Sequence, residues 1–84
     1  MKRATYPKGL LRIAIKGVLM YAEYKGFEKG ICLACGRESM CHTFFVAETI
    51  EIFQNENPNA IMRFGETHAK RYVEVINENV GVGA

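Results

Sequence analysis

A short cysteine motif in the middle of the chain constrains its fold more than any other feature. Cys32 and Cys35 are separated by two residues and are followed directly by Gly36. Two thiolates at this spacing can face a single metal ion, and the glycine lets the backbone turn tightly beneath them. We therefore expect an irregular, zinc-knuckle-like segment over residues 30–42, with regular elements on either side.

Further candidate ligands follow this motif. Cys41 offers a third thiol, and either His42 or His68 could complete a tetrahedral zinc site of three sulfurs and one nitrogen. His68 falls on the apolar side of a predicted helix, where an unpaired imidazole is poorly solvated. His42 is local, but it adjoins Cys41, and adjacent side chains usually diverge. The sequence thus predicts a structural Zn2+ held by Cys32, Cys35, Cys41 and one of the two histidines; three buried thiols without a metal are the alternative.

Other kinds of cysteine chemistry fit the sequence less well. Three cysteines are an odd number, and Arg12 and Lys16 interrupt the only candidate for a secretory signal, so a secreted disulfide framework is not expected. A redox pair of Cys32 and Cys35 remains an alternative, although such a site normally lies in a strand–helix context. An iron–sulfur cluster usually needs four thiolates.

Apolar periodicity predicts a mainly α fold with three helices, over about residues 10–25, 43–54 and 60–79. In the first segment only Arg12, Lys16 and Glu23 form a polar stripe when residues are plotted at helical spacing. The alternative is an α+β fold with residues 10–24 as strands. In that arrangement Leu11, Ile13 and Ile15 alternate with their neighbours up to a break at Gly17.

The remaining segments complete a single small domain over residues 1–84. At this length a chain buries about 63% of its surface, enough for one modest core. Residues 1–8 form a basic lead-in, a turn containing Pro58 separates the last two helices, and residues 81–84 form a loose tail.

Charge is distributed unevenly along the chain. Residues 1–37 contain eight cations and two anions, whereas residues 38–84 contain three cations and seven anions. A basic front of this kind can bind phosphates or an acidic protein surface. The sequence pI of about 8.5 is below that of a dedicated nucleic-acid module, so a protein partner is favoured and nucleic acid is the alternative. The candidate partner-binding residues are Lys2, Arg3, Lys8, Arg12 and Lys16.

Catalysis and membrane insertion find little support. The chain has no Asp, no Gly-rich phosphate loop and no Ser–His–Asp pattern, so we do not expect an enzyme. The longest apolar run, Val18 to Ala22, is five residues, whereas a membrane span needs about 20. We expect an intracellular, cytoplasmic protein.

Three functional hypotheses follow from these observations. The first is a non-catalytic, zinc-stapled regulatory or adaptor module that binds a macromolecule. The second is a small inhibitor that docks on a larger protein machine, such as an anti-defence protein of a mobile element, and the third is a thiol redox protein. A homodimer is also expected, because the first predicted helix has more apolar perimeter than two short neighbours would cover.

Overall fold

A five-stranded antiparallel sheet with two short helices forms the fold. The computed structural model describes residues 4–55 and 60–77. In chain order the elements are β1 (Leu10–Ile15), β2 (Val18–Ile31), β3 (Glu38–Ala47), α1 (Ile50–Asn55), β4 (Ala60–Gly65), α2 (Glu66–Tyr72) and β5 (Val73–Asn77). The prediction of a mainly helical protein is therefore wrong.

The strand order brings the last strand back to the first. The order across the sheet is β4-β3-β2-β1-β5, and every neighbouring pair is antiparallel. β4 and β5 are the two edge strands, and α2 joins them directly. The helix therefore carries the chain from one edge of the sheet to the other, over the face on which Ala69 is buried.

The helix predicted over residues 10–25 does not form. These residues belong to β1 and the first part of β2, which pair as a hairpin. Leu11, Ile13 and Ile15 are almost completely buried while the residues between them are half-buried, so the alternating pattern gives the correct local structure. Lys16 and Gly17 form the two-residue connection, and both have positive φ, 51° and 82°. This is the backbone that tight hairpins favour, because its twist matches that of the flanking strands.

The helix predicted over residues 43–54 is wrong over its first half. Phe44 and Val46 lie in β3 and point into the core, and only Ile50–Asn55 is helical. Thr49 marks the start of α1, since its Oγ1 accepts a hydrogen bond from the Ile52 N–H at 3.1 Å. The consecutive residues 41–44 are all buried, so this part of the strand has no exposed face from which its period of two could be read.

The helix predicted over residues 60–79 divides into three elements. Only Glu66–Tyr72 is helical; β4 precedes it and β5 follows it. Pairing of β4 with β3 and of β5 with β1 satisfies the backbone groups that face the neighbouring strand, and β-branched residues such as Val73 and Val75 fit that environment. Within the predicted turn and tail, residues 56–59 and 78–84 lie outside the described residues.

Both helices are short, at six and seven residues. Within residues 4–55 and 60–77, no helix has the length and apolar character needed to cross a bilayer.

One face of the sheet carries the core. The buried apolar side chains come from β1, β2, β3, β4, α2 and β5, and they are Leu11, Ile13, Ile15, Ala22, Phe44, Val46, Phe64, Ala69 and Val73. Tyr6, which precedes β1, packs edge-on against Phe44 with ring centroids 4.9 Å apart. The segment that links β2 to β3 lies at one end of this sheet, where it meets the end of β4 and the start of α2.

Candidate metal centre

The irregular segment predicted over residues 30–42 is shorter in the structure, because residues 30–31 lie in β2 and residues 38–42 lie in β3. Residues 32–37, here called the cysteine loop, form a tight turn between these two strands. The Cys32 N–H donates to the Arg37 carbonyl at 2.9 Å, and the Gly36 N–H donates to the Cys32 carbonyl at 2.7 Å. Gly36 has φ of 75°, in the left-handed region that side chains disfavour. The glycine that follows the cysteine pair in the sequence is therefore the residue that permits this turn.

Two contacts fasten the cysteine loop to β4. The Leu33 N–H donates to the Arg63 carbonyl at 2.7 Å, and the Gly65 N–H donates to Cys32 Sγ at 3.4 Å. Because Gly65 is the last residue of β4 and Glu66 begins α2, this anchoring brings the loop against the start of the helix.

The loop and the helix together assemble three metal-binding side chains. The ligand atoms of Cys32, Cys35 and His68 all lie within 4.8 Å of one another, and Cys32 Sγ is 3.4 Å from His68 Nδ1. With Zn–S of about 2.3 Å and Zn–N of about 2.0–2.1 Å, tetrahedral geometry places two sulfurs about 3.8 Å apart and a sulfur and a nitrogen about 3.6 Å apart. The three side chains are therefore close enough to hold a metal ion after only small movements.

Hydrogen bonds favour the thiolate form of Cys32. Burial raises the pKa of this thiol, but the backbone N–H groups of Gly65, Cys35 and Ala34, together with the Cys35 side chain, lower it by more. The net result is a pKa of about 6, compared with an ordinary value of 9.0. Since a thiolate and not a thiol coordinates metals, the loop prepares Cys32 as a ligand.

His68 is held in place by the helix that carries it. It is the third residue of α2, and its ring stacks on that of Tyr72, one turn later, with centroids 6.1 Å apart and an interplanar angle of 13°. This spacing of four residues places the two side chains on the same face of the helix. Tyr72 therefore packs against the imidazole and helps to orient its plane.

A groove of about 430 Å³ opens beside this cluster. Cys35, which is exposed, and His68, which is half-buried, both line it, whereas Cys32 is 1% exposed. The other lining residues come from the end of the cysteine loop, the start of β3, the end of β4 and the start of α2; they are Arg37, Glu38, Ser39, Met40, Gly65, Glu66 and Thr67. Two of the three ligand side chains are thus accessible from the groove.

Cys41 lies outside this three-residue cluster. It is fully buried in β3, directly opposite Gly65 of β4. Its thiol donates to the carbonyls of Ser39, at 3.3 Å, and Gly30, at 3.5 Å. The structure therefore places the third predicted sulfur ligand in contact with backbone oxygens.

His42 also lies elsewhere, in a buried polar network. Its Nδ1 is 2.7 Å from the Tyr24 hydroxyl and its Nε2 is 2.6 Å from Glu66 Oε1, with the His42 side chain fully buried. Burial raises the pKa of Glu66, but hydrogen bonds from His42 and from the Ala4 N–H lower it by more, so the pKa falls below 4.5. With Glu66 ionised, Nε2–H donates to the carboxylate, and the second ring nitrogen, Nδ1, forms its hydrogen bond with the tyrosine hydroxyl.

No pattern in the sequence predicts this network. Tyr24, His42 and Glu66 are separated by 18 and 24 residues and come from β2, β3 and α2. Only strand pairing and the return of α2 over the sheet bring them together. Of the two histidines left open by the sequence, the structure places His68 next to the cysteines and His42 between a tyrosine and a glutamate.

Two of the predicted partner-binding cations contact aromatic rings. The Arg12 guanidinium lies over the Tyr21 ring at 4.2 Å, and Lys16 Nζ is 5.3 Å from the centroid of Tyr72. Lys8 is exposed, and Lys2 and Arg3 lie outside the described residues. Their use by a partner stays a prediction.

Comparison with protein-family models, with curated proteins and with solved structures finds no match.

Proposed function

We propose that this protein is a zinc-binding domain in which the metal ties the cysteine loop to α2, and that it acts without catalysis as a binding module for another protein. The observation that carries the proposal is the convergence of the Cys32, Cys35 and His68 ligand atoms within 4.8 Å. His68 follows Cys35 by 33 residues and Cys32 by 36, so a bound metal would crosslink the loop to the helix.

The donor set favours zinc over other divalent ions. Two thiolates and an imidazole are soft or borderline ligands, which suit Zn2+ and disfavour Mg2+ and Ca2+. The hydrogen bonds from Gly65, Cys35 and Ala34 to Cys32 Sγ further support the charged ligand that zinc requires.

Apolar side chains around the loop support a protein partner. Ile31, Leu33 and Met40 are 55%, 53% and 48% exposed, and they lie at the end of β2, in the cysteine loop and near the start of β3. Exposed apolar groups clustered on one part of a small domain are typical of protein-binding surfaces. A metal that fixes the loop would reduce the conformational entropy lost when such a surface binds.

A thiol redox function is the second candidate, because Cys32 combines a pKa of about 6 with a hydrogen bond to Cys35. Its burial argues against this function. A redox cysteine must reach its substrate, whereas only 1% of Cys32 is exposed.

Metal analysis of protein purified without chelator separates the two candidates. We expect one zinc per chain, lost on Cys32→Ser or His68→Ala. Cys41→Ser is the matched control and should keep the metal, because Cys41 lies outside the cluster. The opposite result would be a folded protein that takes up no zinc and carries a Cys32–Cys35 disulfide, detected by mass spectrometry after alkylation. That result would contradict zinc binding and support the redox function.

A further inference from the structure

We propose that the fourth coordination position of the Cys32–Cys35–His68 centre faces the groove and takes an exchangeable small anion that coordinates through one atom. This inference rests on the proposed zinc site. It extends that site from a purely structural crosslink to one that also binds a ligand from solvent.

The nearby side chains that could close the site are engaged elsewhere. The Cys41 thiol donates to the carbonyls of Gly30 and Ser39, and both ring nitrogens of His42 have partners within 2.7 Å. Glu66 uses Oε1 for His42 and Oε2 for the Ala4 N–H at 2.6 Å. Within residues 4–55 and 60–77, the cluster contains no fourth histidine, cysteine or carboxylate ligand atom.

The groove gives solvent a route to the fourth coordination position. Cys35 and His68 both line it, and Cys32 lies behind them against the Gly65 N–H. A tetrahedral ion bound by these three atoms therefore has its fourth direction on the groove side. Zinc sites with three protein ligands normally keep a water molecule at such a position, and another ligand can replace it.

The charges of the groove favour an anion. Zn2+ with two thiolates and a neutral imidazole has no net charge, so the centre itself does not repel one. The two carboxylates in the groove walls are paired, Glu38 with Lys29 at 4.0 Å and Glu66 with Lys70 at 3.4 Å. Arg37, in contrast, lies within 4.0 Å of no carboxylate among the described residues. Its guanidinium is thus available to an incoming anion.

Titration of the cobalt-substituted protein with sodium azide tests this inference. Cobalt reports coordination through its visible d–d bands, and sulfur-to-cobalt charge transfer reports that both thiolates stay bound. We expect azide to change the d–d bands saturably while charge transfer persists, because azide replaces water and no protein ligand. Sodium perchlorate at equal ionic strength, which coordinates weakly, should leave the spectrum unchanged.

Two sets of variants sharpen the test. Arg37→Ala should weaken azide binding about 2- to 5-fold, the range for an exposed charge pair. Lys25→Ala removes the same charge away from the groove and should have no effect. Cys41→Ser and Cys41→Ala should each bind cobalt with the same azide response.

The outcomes distinguish the inference from the proposed function. If cobalt binds but azide does not change its spectrum, the fourth position is not exchangeable and the inference is wrong. Loss of the tetrahedral spectrum in both Cys41 variants would also overturn it, because that result would identify Cys41 as the fourth ligand. Absence of cobalt binding, together with absence of zinc, would overturn the zinc site itself and the inference with it.

Discussion

Tyr6 shows how a single side chain depends on its surroundings. Its ring lies 5.0 Å from that of Tyr24 and 5.2 Å from that of His42, measured between centroids, and so covers the buried polar network. Burial, and next the negative charge of Glu66, raise the pKa of the Tyr6 hydroxyl to about 12. The fold therefore favours the neutral phenol at this position.

This environment predicts a pH dependence. Because the folded-state pKa of about 12 exceeds the ordinary 10.0, the contribution of Tyr6 to stability is fully present below pH 10 and is lost as the pH rises towards 12. Absorbance titration of tyrosinate should show a phase near pH 12 that belongs to Tyr6. Tyr6→Phe should lack that phase, whereas Tyr21→Phe, altered on the opposite face of the sheet, should keep it. A late phase that survives Tyr6→Phe would contradict the assignment.

At the scale of elements, the strands show why helical periodicity failed. Residues 10–25 and 60–77 contain apolar residues at several spacings, so short stretches fit both a helix and a strand. Long-range pairing decided between them. β4 and β5 each form backbone hydrogen bonds with a strand distant in sequence, which no local pattern contains.

The β1–β2 hairpin provides a prediction at this scale. Gly17→Ala should lower the free energy of unfolding by about 1 kcal/mol, because alanine is strained at a φ of 82°. A Cβ at this position would meet no atom within 4 Å, so packing adds no cost. Lys16→Asn is the contrasting variant and should be neutral or slightly stabilising, since asparagine tolerates positive φ better than lysine. Urea denaturation measures the free energy of unfolding of both variants. Equal losses in the two variants would contradict the positive-φ conformation of the Lys16–Gly17 turn.

At the scale of the whole molecule, the proposed zinc links a loop, an edge strand and the crossover helix. The cysteine loop contacts β4 through Leu33 and Gly65, and His68 lies on the helix that crosses to β5. A metal at this junction would stabilise the connection between the two edges of the sheet.

The homodimer was expected because a helix over residues 10–25 would leave apolar surface uncovered. That helix does not form, so this reason no longer applies, and the homodimer stays a prediction.

Removal of the metal should therefore destabilise the entire domain. A ligand present at 1,000 times its Kd contributes about 4 kcal/mol to the folded state. For a domain of this size each ~1 kcal/mol shifts Tm by about 4–8 °C, so a strong chelator should lower Tm by well over 10 °C. Thermal unfolding followed by circular dichroism measures the shift. Cys32→Ser should unfold at the same temperature with and without chelator, and a wild-type protein that behaves likewise would contradict a stabilising metal.

The sequence by itself determined the local features of the site. The spacing of Cys32 and Cys35, with Gly36 after them, is enough to predict a tight turn that directs two sulfurs to one place, because the hydrogen bonds that close this turn join residues of the loop itself. Only the tertiary structure decided that His68 joins them, that Cys41 and His42 have other partners, and that the chain forms a sheet. The physical reason is that burial and strand pairing depend on residues far apart in the chain. The third member of the cluster, 33 residues after Cys35, is brought there by β3, β4 and α2 acting together.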